Sequence, residues 1–321
     1  MQRGSKLETL PVGIDGLHTA VDQARASLNQ IILGKDDEIA LALACLLGRG
    51  HLLIEDLPGL GKTILAQSLA KVLGLSYQRV QFTSDLLPAD IIGVSIFQQS
   101  SGEFVFQPGP IFTQLVLADE VNRATPKAQS ALLEAMEERQ VSADGTTHEL
   151  PEPYFVVATQ NPSDQIGTFP LPESQLDRFL MRIELGYPNE ESERELITGE
   201  DRRELLQHTE ATLNPDIIIQ LQKVIRDVHL SDPLVDYIQA LVRFTRESPD
   251  IETGLSPRGS QALALAARSL AFIEHHSGVY PDDVQAVFTA CAGHRLKPAS
   301  NSTYRRPGEL CRHVLDNVAI P

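Results

Sequence analysis

Several apolar runs in the first half of the chain are too continuous to alternate and too short to be helices. Leu52-Leu53-Ile54, Leu115-Val116-Leu117-Ala118 and Phe155-Val156-Val157-Ala158 are of this kind. Such runs suit strands covered on both faces, as in a parallel sheet. Tyr77 to Phe82 and Leu180 to Leu185 read as a second and a last strand. Between the strands the apolar period becomes helical: Leu17 to Leu28, Asp37 to Leu47, Ile64 to Leu73, and Thr125 to Gln140. Thr125 is an N-cap residue with Pro126 in the first turn, and Gly48 and Gly50 end the second of these helices. Strands alternating with helices predict an α/β domain.

The alternation stops at Gly186-Tyr187-Pro188-Asn189-Glu190. Residues 191–206, 217–228, 233–246, 258–276 and 281–296 are then all helical in pattern. The expected organisation is an α/β domain over 1–186 and a helical domain over 187–321. Residues 1–11 are expected to be a loose lead-in, and the tail from Lys297 says little.

Two segments interrupt the α/β pattern. Leu86 to Pro110 suggests a helix broken by a small hairpin. Its apolar residues, Ile96, Phe97, Phe104, Val105 and Phe106, suit either a satellite core or an exposed functional loop. Residues 141–153, with Asp144-Gly145 in the middle, predict a second hairpin.

The candidate chemistry lies at the strand ends. Leu52-Leu53-Ile54 runs into Pro58-Gly59-Leu60-Gly61-Lys62-Thr63 and then a helix, the order of a phosphate-binding loop. Gly59 and Gly61 let backbone N–H groups surround phosphate oxygens, and the helix N-terminus adds its dipole. Lys62 can reach the β- and γ-phosphates, and the Thr63 hydroxyl is a Mg2+ ligand candidate. Pro58, Gly59, Leu60, Gly61, Lys62, Thr63 and Ile64 form the expected phosphate grip. Asp56 stands where such loops usually have glycine. A carboxylate is awkward beside phosphates unless it points away or accepts N–H bonds within the turn. Just upstream, Ile31-Ile32-Leu33-Gly34 is either hinge packing or the apolar seat of a purine ring, with Ile32 and Gly34 as its contacts.

Asp119 and Glu120 end a buried strand, at the sheet edge where ligands bind in open α/β folds. Beside a phosphate loop, Asp119 is the expected Mg2+ ligand and Glu120 the group that orients or deprotonates water. Asn161 ends the next strand. It is either a turn residue before proline or a hydrogen-bond partner of the water and γ-phosphate. Arg178 is either a packing residue or an arginine offered to a neighbour's nucleotide. Arg258, just inside a helix capped by Ser256 with Pro257 at its start, opposes the helix dipole. An anion or the nearby Glu252 would offset that charge.

Composition narrows the partners. The formal net charge is −16 and no block of Lys and Arg occurs, which argues against nucleic acid. No run is long and apolar enough to span a membrane, and the N-terminus lacks a secretory pattern. Cys45, Cys291 and Cys311 are too few and too scattered for a disulfide framework, so the expected compartment is the cytoplasm. His275-His276 is expected to be solvated.

Taken in order, these motifs resemble the MoxR family of AAA+ ATPases over nearly the whole chain. LIEDLPGLGKT is similar to the family's Walker A, LVLADEVNRA to Walker B, and ATQNP to sensor 1. LPESQLDRF resembles the arginine-finger helix and GLSPRGSQAL sensor 2. The resemblance implies a parallel sheet of order 5-1-4-3-2 followed by a small all-helical lid. It implies ATP and Mg2+ as cofactors and a hexameric ring. Arg178 would act on the adjacent subunit's ATP, and Arg258 would reach the γ-phosphate of its own subunit. It also implies chaperone-like remodelling of a client protein, often with a von Willebrand factor A domain partner. Two other readings are a nucleic-acid motor, which predicts basic pore loops, and a nucleotide-gated scaffold, which would not need Glu120. A small-molecule kinase would have no use for Arg178 and Arg258.

Overall fold

A computed structural model describes residues 13–100, 102–161, 167–304 and 306–321. The expected lead-in and the proline of ATQNP lie outside the described residues.

Two helices, α1 (Ile14–Ile31) and α2 (Asp36–Leu47), precede the first strand, β1 (Leu52–Glu55). Helix α3 (Lys62–Val72) and strand β2 (Tyr77–Gln81) follow. Next come α4 (Pro88–Ile92) and a hairpin of β3 (Gly93–Gln98) and β4 (Glu103–Pro108). Strand β5 (Leu115–Asp119) leads through a 3-10 turn to α5 (Pro126–Glu138). A second hairpin, β6 (Gln140–Ala143) and β7 (Thr146–Glu149), precedes β8 (Phe155–Gln160). Asp144 and Gly145 both have positive φ at its tip, the backbone twist that a two-residue hairpin loop requires. Helix α6 (Glu173–Leu176) and β9 (Met181–Ile183) complete the α/β part.

The central sheet has the order β2-β5-β8-β1-β9, all parallel. Counting its strands along the chain, this is 5-1-4-3-2. Leu52, Leu53 and Ile54 are fully buried, as are Leu115, Val116 and Leu117. Complete cover on both faces explains why these strands show no alternation.

The remaining helices are α7 (Glu190–Thr198), α8 (Arg202–His208), α9 (Pro215–Arg226), α10 (Asp232–Glu247), α11 (Pro257–Ile273), α12 (Pro281–Ala292) and α13 (Pro307–Asn317). The periodicity over 191–206 suggested one helix, but there are two. Gly199 ends the first, and Asp201 caps the second by accepting from the Arg203 N–H at 2.8 Å. The lid is helical apart from a short antiparallel pair, β10 (Ile251–Thr253) with β11 (Lys297–Pro298).

One apolar core joins the lid to the sheet. It includes Leu43 and Leu46 of α2, Ile183 of β9, Ala266 and Leu270 of α11, and Val287 of α12. A second core, on the other face, holds Leu53, Val116, Leu132 and Phe179. The β3-β4 hairpin belongs to neither. Val94, Ile96, Phe97, Phe104 and Val105 are exposed large apolar side chains. Of the five residues named for a satellite core, only Phe106 is half-buried, stacking on His148 with Phe112 at its edge, while the other four are exposed.

Candidate nucleotide site and its distant arginines

The loop between β1 and α3 takes its shape from glycine. Gly59 and Gly61 have φ of +88° and +89°, which side-chain-bearing residues adopt only with strain. A Cβ at Gly59 would meet nothing within 4 Å, so this part of the loop faces open space. Lys62 is buried, and burial lowers its pKa against the opposing pull of Asp56, Asp119 and Glu120. Its ammonium donates to the carbonyls of Asp56 and Leu57 and, at 3.0 Å, to Asn161 Oδ1.

Asp56 points away from the loop's open side. Its Oδ1 accepts from the Leu57 N–H at 2.8 Å, and its Oδ2 from the Gly186 N–H at 2.6 Å. The off-pattern carboxylate therefore closes the turn and ties it to the chain that leaves the sheet. The expected base seat touches that same chain. A Cβ on Gly34 would lie 2.3 Å from Ser192 Oγ, and the Lys35 ammonium donates to the Tyr187 carbonyl at 3.0 Å. Ile32 packs against the larger core beside it.

The acids at the end of β5 are held from the neighbouring strands. Thr159 Oγ1 donates to Asp119 Oδ1 at 2.6 Å and accepts from the Glu120 N–H at 2.9 Å. Glu120 has φ 56° and ψ 48°, a left-handed conformation that is rare without glycine. Asn161 Nδ2 donates to Glu120 Oε1 at 3.1 Å, while Gln81 and Arg123 each reach Oε2 at 3.1 Å. Asp119 Oδ2 accepts from Arg79 Nε at 2.9 Å and pairs with its Nη2 at 2.5 Å. One hydrogen-bonded chain thus runs from Lys62 through Asn161 to Glu120. Arg79 and Gln81 are site neighbours outside every quoted motif, and Thr159 and Arg123 lie inside ATQNP and LVLADEVNRA without a role assigned from sequence.

These groups suit a magnesium–nucleotide complex. A P-loop metal needs few protein ligands because substrate phosphates and waters supply the rest. Thr63, next to Lys62, carries a hydroxyl with no hydrogen bond among the described residues.

Arg178 and Arg258 are elsewhere. Both pair with Glu137 Oε2, Arg178 Nε at 3.8 Å and Arg258 Nη2 at 2.5 Å. Glu137 lies in the last turn of α5, and the carbonyl of the preceding Met136 meets His51 Nε2 at 3.2 Å. His51 precedes β1, whereas the phosphate loop follows it. The two arginines therefore lie at the opposite end of the strand from Lys62. In this structure Arg258 does not lie beside its own chain's phosphate loop, where the resemblance implied that it would act. The cause is packing: α11 lies along α2, and a Cβ at Gly48 would come 2.7 Å from Ser269 Oγ. That docking directs the start of α11 toward Glu137.

A further arginine organises this end. Arg295 pairs with Asp177 Oδ1 at 2.6 Å and donates to the carbonyls of Asp177, Phe179, Leu180 and Cys291. The other Asp177 oxygen accepts from Ser256 Oγ at 3.2 Å. Asp177 is next to Arg178 and Ser256 is two residues before Arg258, so one carboxylate braces both arginine-bearing segments. Arg295 was not anticipated.

The parallel sheet, glycine loop and acid pair define an AAA+ ATPase, an ATP-hydrolysing enzyme. Residues 51–181 match the family model of ATPases associated with various cellular activities, and residues 243–312 match the AAA lid domain. Protein YeaC of Bacillus subtilis is 42% identical, covering 96% of this chain and 97% of its own. The chaperone MoxR1 of Mycobacterium tuberculosis is 38% identical over 98% of this chain and 86% of its own. A crystal structure of a Cytophaga hutchinsonii protein superposes with a TM-score of 0.86 at 33% identity, covering 96% and 97% of the two chains. The chain belongs to the MoxR family of AAA+ ATPases. Among the described residues no helix is long and apolar enough to cross a membrane.

Proposed function

We propose that this protein hydrolyses Mg-ATP as a hexameric ring and uses the cycle to remodel a client protein. The observation that carries the proposal is the separation of Arg178 and Arg258 from their own phosphate loop. Two arginines at the far end of the strands serve a nucleotide only if it belongs to a neighbour. Arg178 keeps its expected role in trans, and Arg258 joins it there.

In each site Lys62 and the N–H groups of the Pro58 to Ile64 turn hold the phosphates, with Ile32 and Gly34 against the base. Thr63 and Asp119 hold Mg2+, which when bound neutralises phosphate charge. Asn161 orients the water and Glu120 takes its proton. As the water oxygen bonds to the γ-phosphorus, the bond to the bridging oxygen breaks and ADP leaves. The working division is an α/β domain over 1–186 and a lid over 187–321. The exposed apolar β3-β4 hairpin supports a protein client, because it offers aromatic and aliphatic contacts instead of cations. The chaperone name of MoxR1 supports the same reading. A von Willebrand factor A domain protein is the proposed partner. Three free, buried cysteines support a cytoplasmic setting.

The test mixes two inactive variants. Glu120→Gln keeps its arginines, and Arg178→Ala keeps its acids. Mixed rings then contain interfaces with both parts intact, and ATPase activity returns. Absence of recovery, at concentrations where both variants assemble, overturns action in trans.

A further inference from the structure

A cavity of about 740 Å³ lies between the lid and the end of the sheet that carries Glu137. Its walls bring together Arg49, Arg139, Lys223, Arg226 and Arg268, with Glu152 as their lone acid. These cations are scattered through the sequence, which is why no basic block is visible there. In a chain of net charge −16 their convergence is a local reversal of the field. Glu152 offsets little of it, lying 3.7 Å from Arg49 with both side chains about half exposed or more. Lys223, Arg226 and Arg268 make no ion pair among the described residues, and Arg268 Nε is buried with no hydrogen-bond partner. Arg139 donates to the Arg49 backbone carbonyl, which holds the Arg139 guanidinium at the rim.

Like charges held together and a buried donor left unpaired are unfavourable without an anion. The volume is that of a small-molecule site. Guanidinium forks match phosphate oxygens in pairs. Pro153, Ile219 and Leu265 add an apolar wall. We propose that this cavity binds a small polyphosphate-bearing molecule, separate from the ATP that is hydrolysed. Because α9 and α11 supply one side and the ends of α2 and α5 the other, the bound anion would fasten the lid to the sheet.

Calorimetric titration with inorganic tripolyphosphate, with ADP in saturating excess, tests this. Tripolyphosphate is expected to bind with an affinity that does not change as ADP is raised. Lys223→Glu and Arg226→Glu, both at exposed positions, are expected to weaken it about tenfold or more while thermal melting shows an intact fold. Arg226→Lys should retain binding. GDP titrated in the same way separates the sources. Binding of GDP that the same reversals weaken assigns the site to nucleotides. Tripolyphosphate binding without GDP binding assigns it to other polyphosphates. Competition between tripolyphosphate and ADP would place the anion in the phosphate loop and overturn the proposal. So would charge reversals that bind like the wild type, or no binding at millimolar tripolyphosphate while an acidic peptide binds.

Discussion

Arg178 and Arg258, from opposite sides of the domain junction, share one carboxylate oxygen of Glu137. Two guanidiniums at one site would otherwise repel, so Glu137 keeps them together. The carboxylate is partly exposed, and exposed pairs add little stability. Glu137→Ala should therefore melt within a few degrees of the wild type. Its effect should fall on turnover, by about tenfold, because the arginines lose their alignment. Arg178→Ala should lose about a thousandfold or more in kcat while still binding nucleotide. Steady-state ATPase assays and thermal melts on both variants decide this. A Glu137→Ala enzyme with unchanged turnover would remove the alignment role.

Thr159 clamps two consecutive acids with one hydroxyl and is fully buried. Thr159→Val keeps the shape and removes both bonds. It leaves the Glu120 N–H unpaired in a strained conformation, with an expected loss of about 1–3 kcal/mol in unfolding free energy. Hydrolysis should drop further than nucleotide affinity, since Lys62 and the glycine loop are untouched. Urea unfolding and fluorescent-nucleotide binding separate the two effects. Equal losses of binding and turnover would mean that the clamp serves the whole site.

His51 carries a pH dependence. Its Nδ1 accepts from the Val156 N–H, so its proton sits on Nε2, which faces the Met136 carbonyl. Burial pushes its pKa down to about 4, with Arg139 adding to the effect. Burial likewise holds His294 well below the usual range. Unfolded histidine titrates near ~6.5, so the unfolded chain binds more protons between that pH and about 4. Stability from His51 is then fully present above the unfolded value and is lost as pH falls toward the folded one. The loss amounts to about 3 kcal/mol for His51 alone. Unfolding free energies at pH 7, 6 and 5 should decline in step with proton uptake on unfolding. A flat profile over that range would show that the buried imidazoles are not neutral pins.

The sheet order and phosphate loop are legible in the chain because their signals are local. Continuous apolar runs mark covered strands, and the glycines of the turn precede a helix at fixed spacing. Arg79 and Arg295 carry no such signal, and Thr159 lies in a visible motif whose pattern does not reveal its hydroxyl's partners. Thr159 meets an acid 40 residues away, and Arg295 a carboxylate 118 residues away. The position of Arg258 beside Glu137 was not legible for the same reason. Its helix start is visible locally, but the end of the sheet to which α11 docks is set by packing on α2. The hairpin of residues 93–108 shows the remaining limit. Its alternation predicts strands, yet which face finds a partner depends on packing that lies beyond the pattern.

Arg79 makes the last prediction, about metal affinity. It reaches Asp119 Oδ2 with two nitrogens, while Thr159 occupies Oδ1. Asp119 is thus already neutralised by a cation of its own chain, and Arg79 must yield some of this contact if the carboxylate is to serve Mg2+. Arg79 is about half exposed and bonded to Gln81 at 2.8 Å, so it has room and a second partner to turn to. Removing it should leave a freer carboxylate. Arg79→Ala is therefore expected to lower, by about threefold to tenfold, the Mg2+ concentration needed for half-maximal ATP-analogue binding. The fold should persist, because the pair is half solvated. Fluorescent ATP-analogue titrations at stepped Mg2+ concentrations measure this without relying on turnover. A higher Mg2+ requirement in the variant would show the opposite role, with Arg79 orienting Asp119 for the metal instead of competing with it.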